Sequence, residues 1–441
     1  MAFGLFIVLF AIEYLGLGYD FPILRALKVS LVLSFGLAGW LALKGEPGRM
    51  FRYRQARLIL TFVLLTGASM TWALVGTHAL RSFQNQVGYF VMCFAGFMLL
   101  TTEARFRRFL HVLVAFHVLL VLINMDILLS GARVGVFKAG FFLGDGNDFG
   151  WSLNVALPFA LFGAFTDSRF VVRVLSFASA GLLAFGIVGT QSRGATIALA
   201  ASGLWFILNS KRKALSLALL TVALATALLF APAKYFERMD TVASFQEDNS
   251  AQGRLRAWRA ATQMAFDYPL GVGAGNFNSA YGRFYRGNID PKVWGAARWI
   301  SVHSIYFAVL AEYGFLGLFL WLFILWSIFR DNLRLERLAS IAGSGAIHLP
   351  GVGVFLNMGL IGYAAGGAFL GGVDYPHLVI LSFLSLGALS MREAEVRQAA
   401  ATGTDPGPPS TDGPPGRRAA AVVHGKLGPR PVGRARGALG R

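Results

Sequence analysis

Residues 300–329 read "ISVHSIYFAVLAEYGFLGLFLWLFILWSIF", an apolar run with one histidine, His303, at its mouth and one carboxylate, Glu312, inside it. A helix rises about 1.5 Å per residue, so roughly 20 mostly apolar residues cross the hydrocarbon core of a bilayer, and this run is long enough. Ionisable groups at such depth are expensive, and each asks for a reason. The rest of the chain repeats the pattern. Of its 441 residues, 56% are hydrophobic and only 14% charged, with a mean hydropathy of +0.59, whereas soluble domains carry about 25% charged residues. The expected fold class is an all-α polytopic membrane protein.

Apolar runs bounded by charge or Gly/Pro punctuation predict about twelve transmembrane helices, at 3–18, 24–43, 58–75, 87–101, 107–129, 150–165, 171–188, 193–209, 214–230, 303–329, 347–370 and 376–391. The chain then divides into helices one to nine (1–230), one large loop lobe (231–302), helices ten to twelve (303–391) and a basic tail (392–441). The tail holds "TDPGPPSTDGPPG" and nine basic against four acidic residues, a composition that predicts disorder. Connections 44–57, 101–108, 166–173, 210–213 and 330–347 carry five, three, two, three and three Lys or Arg, against one, two and none in 76–86, 130–149 and 371–375. The positive-inside rule therefore puts both termini in the cytoplasm and the 231–302 lobe on the outer face. The formal charge of +18 is spread through these short loops, which is a topology signal and not a nucleic-acid surface. Residues 1–18, "MAFGLFIVLFAIEYLGLG", lack a basic n-region and a small-residue cleavage site, and read as a retained first helix. The single cysteine, Cys93, can form no intrachain disulfide.

Within the lobe, "SAQGRLRAWRAATQMAFDYP" (250–269) is amphipathic around Leu255, Trp258, Ala261 and Ala265 and stops at Pro269. The glycine-rich "LGVGAGNFNSAYGRF" (270–284) reads as an irregular loop. "GTQSRGATIAL" (189–199) sets Arg193 at the outer end of helix eight, where a snorkelling arginine is the plain alternative. "QGRLRAWRAA" (252–261) adds Arg254, Arg256 and Arg259; Arg254 and Trp258, four apart, share a face, and Arg256 points elsewhere. His303 is expected to open helix ten at the same level. Glu312, nine residues on at about 100° each, falls on the opposite face from His303, which leaves Tyr306 as the better neighbour. "GDGND" (144–148) offers Asp145 and Asp148; a carboxylate at a helix start is first of all a cap, and a hard cation wants six or more oxygens in a region poor in acids. His111 and His117, six apart, align poorly on a helix and read as hydrogen-bonding residues; His78, His348 and His377 sit near helix ends.

Taken together these residues describe a site. Guanidinium groups pair bidentately with phosphate oxygens and stay charged, so arginines at the interface suit a lipid-linked diphosphate. An imidazole is well poised to take a proton from an attacking hydroxyl. A base with arginine clamps and no acidic cluster points to glycosyl transfer without metal or cofactor.

The stretches "QSRGATIAL" (191–199), "GRLRAWRAA" (253–261) with "DYPLGVGAGNF" (267–277), and "VHSIYFAVLAEYGFLGL" (302–318) resemble, in order, the O-antigen ligase superfamily. That superfamily includes O-antigen ligases, O-antigen polymerases and protein O-oligosaccharyltransferases. The resemblance spans roughly residues 140–330 and includes "FLGDGNDFGWSLNVALPFALFG" (142–163). It implies a metal-independent glycosyltransferase of the GT-C type in the bacterial inner membrane, with its active site on the periplasmic face. The implied donor is an undecaprenyl-diphosphate-linked glycan; the acceptor is lipid A-core in a ligase or a growing glycan in a polymerase. By position, Arg193 and Arg254 match the diphosphate-binding arginines and His303 the catalytic histidine, with Tyr306, Arg256 and Trp258 in support. The residue after the histidine is commonly asparagine in the family and is Ser304 here; a hydroxyl donates one hydrogen bond where an amide offers two. A polysaccharide flippase would also show about twelve helices and arginines near lipid phosphate, but the chain has no internal repeat and its single large loop follows helix nine instead of the midpoint.

Overall fold

Every regular element among the described residues is helical, the outcome required where no water reaches the backbone and each donor must pair within its own segment. The computed structural model describes residues 1–27, 29–130, 143–210, 249–287, 300–341, 349 and 351–402, with isolated positions between 213 and 225. The longer helices are α1 (Ala2–Tyr14), α2 (Val29–Lys44), α3 (Arg54–Ala68), α4 (Gly76–Leu99), α5 (Glu103–Ile123), α6 (Gly146–Thr166), α7 (Phe170–Gly189), α8 (Arg193–Asn209), α9 (Asn249–Asp267), α10 (Ile305–Ile341), α11 (Val352–Gly367) and α12 (His377–Thr402). Four of these, α5, α6, α7 and the Ile305–Ala339 part of α10, are long and apolar enough to cross a membrane, and α1, α2 and α11 are shorter apolar helices. The predicted ninth span, 214–230, falls mostly outside the described residues, as do 231–248, 288–299 and the tail beyond 402. α12 runs through 392–402, a segment whose composition had suggested the start of the tail. Its first residues there are held by side chains: Arg392 bonds Glu395 at 2.7 Å and Glu393 bonds Arg334 of α10 at 2.9 Å.

α6 is the central helix. It is buried nearly all round, from Phe149 to Ala164, as its lack of a polar face requires, and α5, α7, α8 and α11 pack around it. α3, α4, α10 and α12 form the adjoining group. At one end the start of α3 meets the middle of α10 and of α12, where Gln55 donates to Asp331 (2.9 Å) and Ser385 (3.2 Å) and Tyr53 donates to Glu393 (3.1 Å). Arg49, Arg52, Arg54, Arg57, Arg330, Arg334 and Arg337 belong to this end. The starts of α4, α6, α8, α10 and α12 lie at the other.

The lobe helix α9 packs on α10 through a second, smaller core containing Ala257, Ala260, Ala261 and Met264 of α9 with Ala308 and Ala311 of α10. Small side chains let two backbones approach closely. Leu255, assigned to the apolar face by its spacing, is only half-buried, because the face that packs is the alanine stripe.

Candidate functional site

The first residues of α10 and the lobe are joined at a break in the helix. Gly314 adopts φ 67°, ψ −167° inside α10, a conformation available to glycine and costly for other residues. The break releases carbonyls of the preceding turn, and the glycine-rich loop takes them: Val272 N–H donates to Ala311 O (2.9 Å) and Gly273 N–H to Glu312 O (3.0 Å). The Glu312 side chain completes the junction, accepting from Gly275 N–H (2.9 Å) and Phe277 N–H (3.3 Å). This is the reason for a carboxylate in an apolar run: two loop N–H groups need an acceptor where water is excluded. Gly271, Gly273 and Gly275 all have positive φ, and a Cβ on Gly271 would collide with the Glu312 carbonyl, as one on Gly314 would with Pro269 O. The loop is also tied to the turn before α4, where Val75 N–H donates to Asn276 Oδ1 (2.9 Å) and Leu74 N–H to Val272 O (3.1 Å).

His303 does not open the helix. α10 begins at Ile305, and His303 stands before it with φ 48°. The helix starts later because Ser304 O is the acceptor for Ala308 N–H (2.9 Å), which makes Ser304 the residue at the boundary. Among the described residues only two non-glycines have positive φ, His303 and Gln191 (54°). Gln191 lies two residues before Arg193, the first residue of α8, whose N-terminus is capped by Ser192 accepting from Ala195 N–H (3.2 Å). Backbone held in such conformations costs on the order of 1–3 kcal/mol per residue and persists only where its surroundings over-determine it.

Those surroundings are shared. The segment after α11 runs beside all three sequence motifs: Gly194 packs under Phe369 and Leu370, and Gly371 lies against the His303 backbone, where an added Cβ would be 3.5 Å from the nitrogen. The Trp258 ring is 6.5 Å from the Phe369 ring and stacks on Phe307 at 5.1 Å. Trp258 Nε1 donates to Val302 O (3.0 Å), which fixes the residue before His303. The structure thus brings together the Arg193 turn, the Arg254–Trp258 face of α9 and His303, with Arg193, Arg254 and His303 all half-buried. Two supporting candidates face elsewhere. Arg256 lies near Tyr281, a phenol that burial raises above its usual range and this guanidinium lowers. The Tyr306 hydroxyl donates to Ala364 O at 2.8 Å and so anchors α10 to α11. The Ser304 hydroxyl is buried without a hydrogen-bond partner among the described residues.

Asp145 is a helix cap, accepting from Asn147 N–H (2.7 Å) and Asp148 N–H (2.9 Å) at the start of α6. Asp148 accepts from Tyr375 Oη (2.9 Å), which ties the 142–163 stretch to the loop that continues from Gly371. In that loop Asp374 accepts from Ser82 Oγ (2.7 Å) and Gln86 Nε2 (3.1 Å), and burial pushes its carboxyl above the usual range against the pull of these bonds. The sequence motifs do not mark Glu312 as a partner of the lobe, nor Asp374 or Tyr375 as part of the site. Their partners lie between 35 and 292 residues away along the chain, and only the glycine pattern at 271–275 hinted that something must approach closely. Among the described residues no three His, Cys, Asp or Glu side chains gather as a metal-binding group.

No curated protein matches the chain. Residues 178–322, which run from α7 across the lobe helix into α10 and contain Arg193, Arg254, His303, Glu312 and Gly314, match the family model described as O-antigen ligase. The match covers about a third of the chain and, together with the apolar helices, supports a multi-pass membrane protein similar to the O-antigen ligase family.

Proposed function

We propose that the protein transfers a glycan from an undecaprenyl-diphosphate-linked donor to an acceptor hydroxyl, as a metal-independent glycosyltransferase of the GT-C type with about twelve spans, placed in the bacterial inner membrane with both termini cytoplasmic. One observation carries the reading: the only two strained non-glycine backbones among the described residues flank Arg193 and form His303, and both motifs meet at Phe369–Gly371. Arg193 and Arg254 hold the diphosphate, and the dipole of the α8 N-terminus favours the same negative charge. His303 takes the proton of the acceptor hydroxyl as its oxygen bonds to the anomeric carbon. The bond from that carbon to the phosphate oxygen breaks, and undecaprenyl diphosphate leaves with the electron pair, its charge held by the arginines. Lipid A-core, the ligase acceptor, is the preferred acceptor class.

The test is to incubate the purified chain with lipid-linked glycan and a panel of acceptors, and to identify which acceptor gains mass. His303→Ala is expected to leave the donor bound and unconsumed. Arg193→Ala and Arg254→Ala are expected to weaken donor binding by about 2–5 kcal/mol each, the usual cost of removing one partner from a desolvated charge pair. A His303→Ala protein that transfers at the wild-type rate, or two arginine variants with intact donor affinity, would defeat the assignment.

A further inference from the structure

Below its break, α10 carries an uncovered apolar face that ends on two arginines. Phe319, Phe323, Trp326 and Arg330 follow one another at spacings of four, three and four residues, so they fall within about 60° of each other around the helix. The rings form one ladder: Phe319 stacks on Phe323 at 6.2 Å and Phe323 on Trp326 at 5.2 Å. Phe319 and Trp326 are 68% and 43% exposed, so no other described part of the chain covers this face. From Phe319 to Arg330 the helix rises about 16 Å, against roughly 15 Å for one leaflet of a hydrocarbon core about 30 Å thick. The ladder is one leaflet deep, and its arginine end stands at headgroup level.

An apolar stripe on a membrane helix needs nothing beyond bulk lipid. Its polar end asks for more. Arg54, at the start of α3, holds its guanidinium 4.6 Å from the Trp326 ring centroid and 5.2 Å from that of Phe323, and the Arg330 guanidinium lies 5.5 Å from the same Trp326 ring. Arg54 Nε donates to Ser327 Oγ at 3.3 Å, which fixes the orientation of the fork. Two like charges therefore share one indole, and among the described residues neither belongs to an ion pair. The adjoining acids are engaged: Asp331 accepts from Gln55 Nε2 (2.9 Å) and Glu393 pairs with Arg334 (2.9 Å). Both arginines are exposed, and a guanidinium stacked on a ring keeps the N–H groups of its edge for phosphate oxygens.

We infer that this face binds an anionic phospholipid, its phosphate held between Arg54 and Arg330 and one acyl chain lying along the Phe319–Trp326 ladder. Charge complementarity selects the occupant: the end of the stripe is cationic and the stripe apolar, and a phospholipid carries its anion and its chain in that order at that depth. Because Arg54 belongs to α3 and Arg330 to α10, the bound phosphate clips the two helices together. The site lies at the opposite end of the molecule from His303 and does not depend on the transfer reading.

The full chain in detergent is irradiated with phosphatidylglycerol carrying a diazirine on one acyl chain, and labelled peptides are mapped in the wild type, which needs no variant to fold. Native mass spectrometry then compares retention of phosphatidylglycerol with that of phosphatidylethanolamine of the same chains. Labelling is expected within residues 315–334, with phosphatidylglycerol retained in preference. Arg54→Gln combined with Arg330→Gln is expected to lower phosphatidylglycerol affinity by about tenfold or more. Arg108→Gln combined with Arg397→Gln removes the same charge from exposed positions on α5 and α12 and is expected to keep the wild-type affinity. An equal loss in both pairs would reduce the effect to diffuse surface charge and overturn the inference. Unchanged affinity in the Arg54 and Arg330 pair, equal retention of phosphatidylethanolamine, labelling confined to other segments, or displacement by a polyprenyl diphosphate at equal concentration would each overturn it as well.

Discussion

At the scale of residues, the carboxylate in the middle of an apolar run is explained by what it bonds. Glu312 serves two loop N–H groups, and a buried donor left without an acceptor costs about 1–3 kcal/mol. Glu312→Ala is expected to lower the thermal midpoint and loosen the lobe, whereas Glu312→Gln, which keeps one oxygen, should lie between; equal midpoints for all three would remove the junction. Trp258→Phe keeps the stack on Phe307 and loses only the bond to Val302 O, worth about 1 kcal/mol. Transfer should slow by up to about tenfold while donor affinity holds; a donor affinity that falls instead would assign Trp258 to binding. Asp374 supplies a pH signature. Its folded pKa lies above the unfolded value, so the protonated form is favoured in the fold. The associated stability is fully present below the unfolded value, near 3.9, and is lost as pH rises through the raised folded one. In Asp374→Asn the fall of thermal midpoint across this window should flatten, and an unchanged slope would place the titration elsewhere.

At the scale of elements, what was legible in the sequence and what was not have separate causes. Helix eight was placed at 193–209 and found at Arg193–Asn209, because Ser192 is a cap residue directly before an apolar run and both signals are local. Asp145 was read as a cap for the same reason. His303 was set at the head of helix ten because hydropathy cannot register a left-handed residue, and Val302 extends the apolar pattern past the real start. The helical-phase argument that set Glu312 apart from His303 does not apply, because His303 stands outside α10 with a left-handed backbone; the partners of Glu312 sit in a loop 35 and 37 residues earlier. The kink in α10 was hidden for a different reason: one glycine in an apolar helix is tolerated in many membrane proteins, and only the close approach of Pro269 shows that this one is required. Gly314→Ala should therefore be more damaging than an average core substitution, separating the lobe from α10 while far-ultraviolet helicity is retained. Normal protease resistance of 249–287 in that variant would count against the docking described.

At the scale of the whole molecule, the basic end and the site end are opposite, and the proposed topology, argued from the bias of Lys and Arg, has the basic end in the cytoplasm. The single native cysteine is buried, so introduced thiols report without background. Arg259→Cys on α9 and Arg397→Cys on α12, both exposed positions, should differ: an impermeant maleimide added to intact spheroplasts should label the first and reach the second only after lysis. The reverse pattern would invert the topology.

The break at Gly314 has a mechanical consequence. The turns of α10 above it are bonded to the lobe through Ala311, Glu312 and Trp258, whereas those below are bonded to α3 and α12 through Ser327 and Arg334. The long helix therefore acts as two levers joined at one glycine, and tilting of the lower lever in the bilayer is absorbed at the joint instead of being passed to His303.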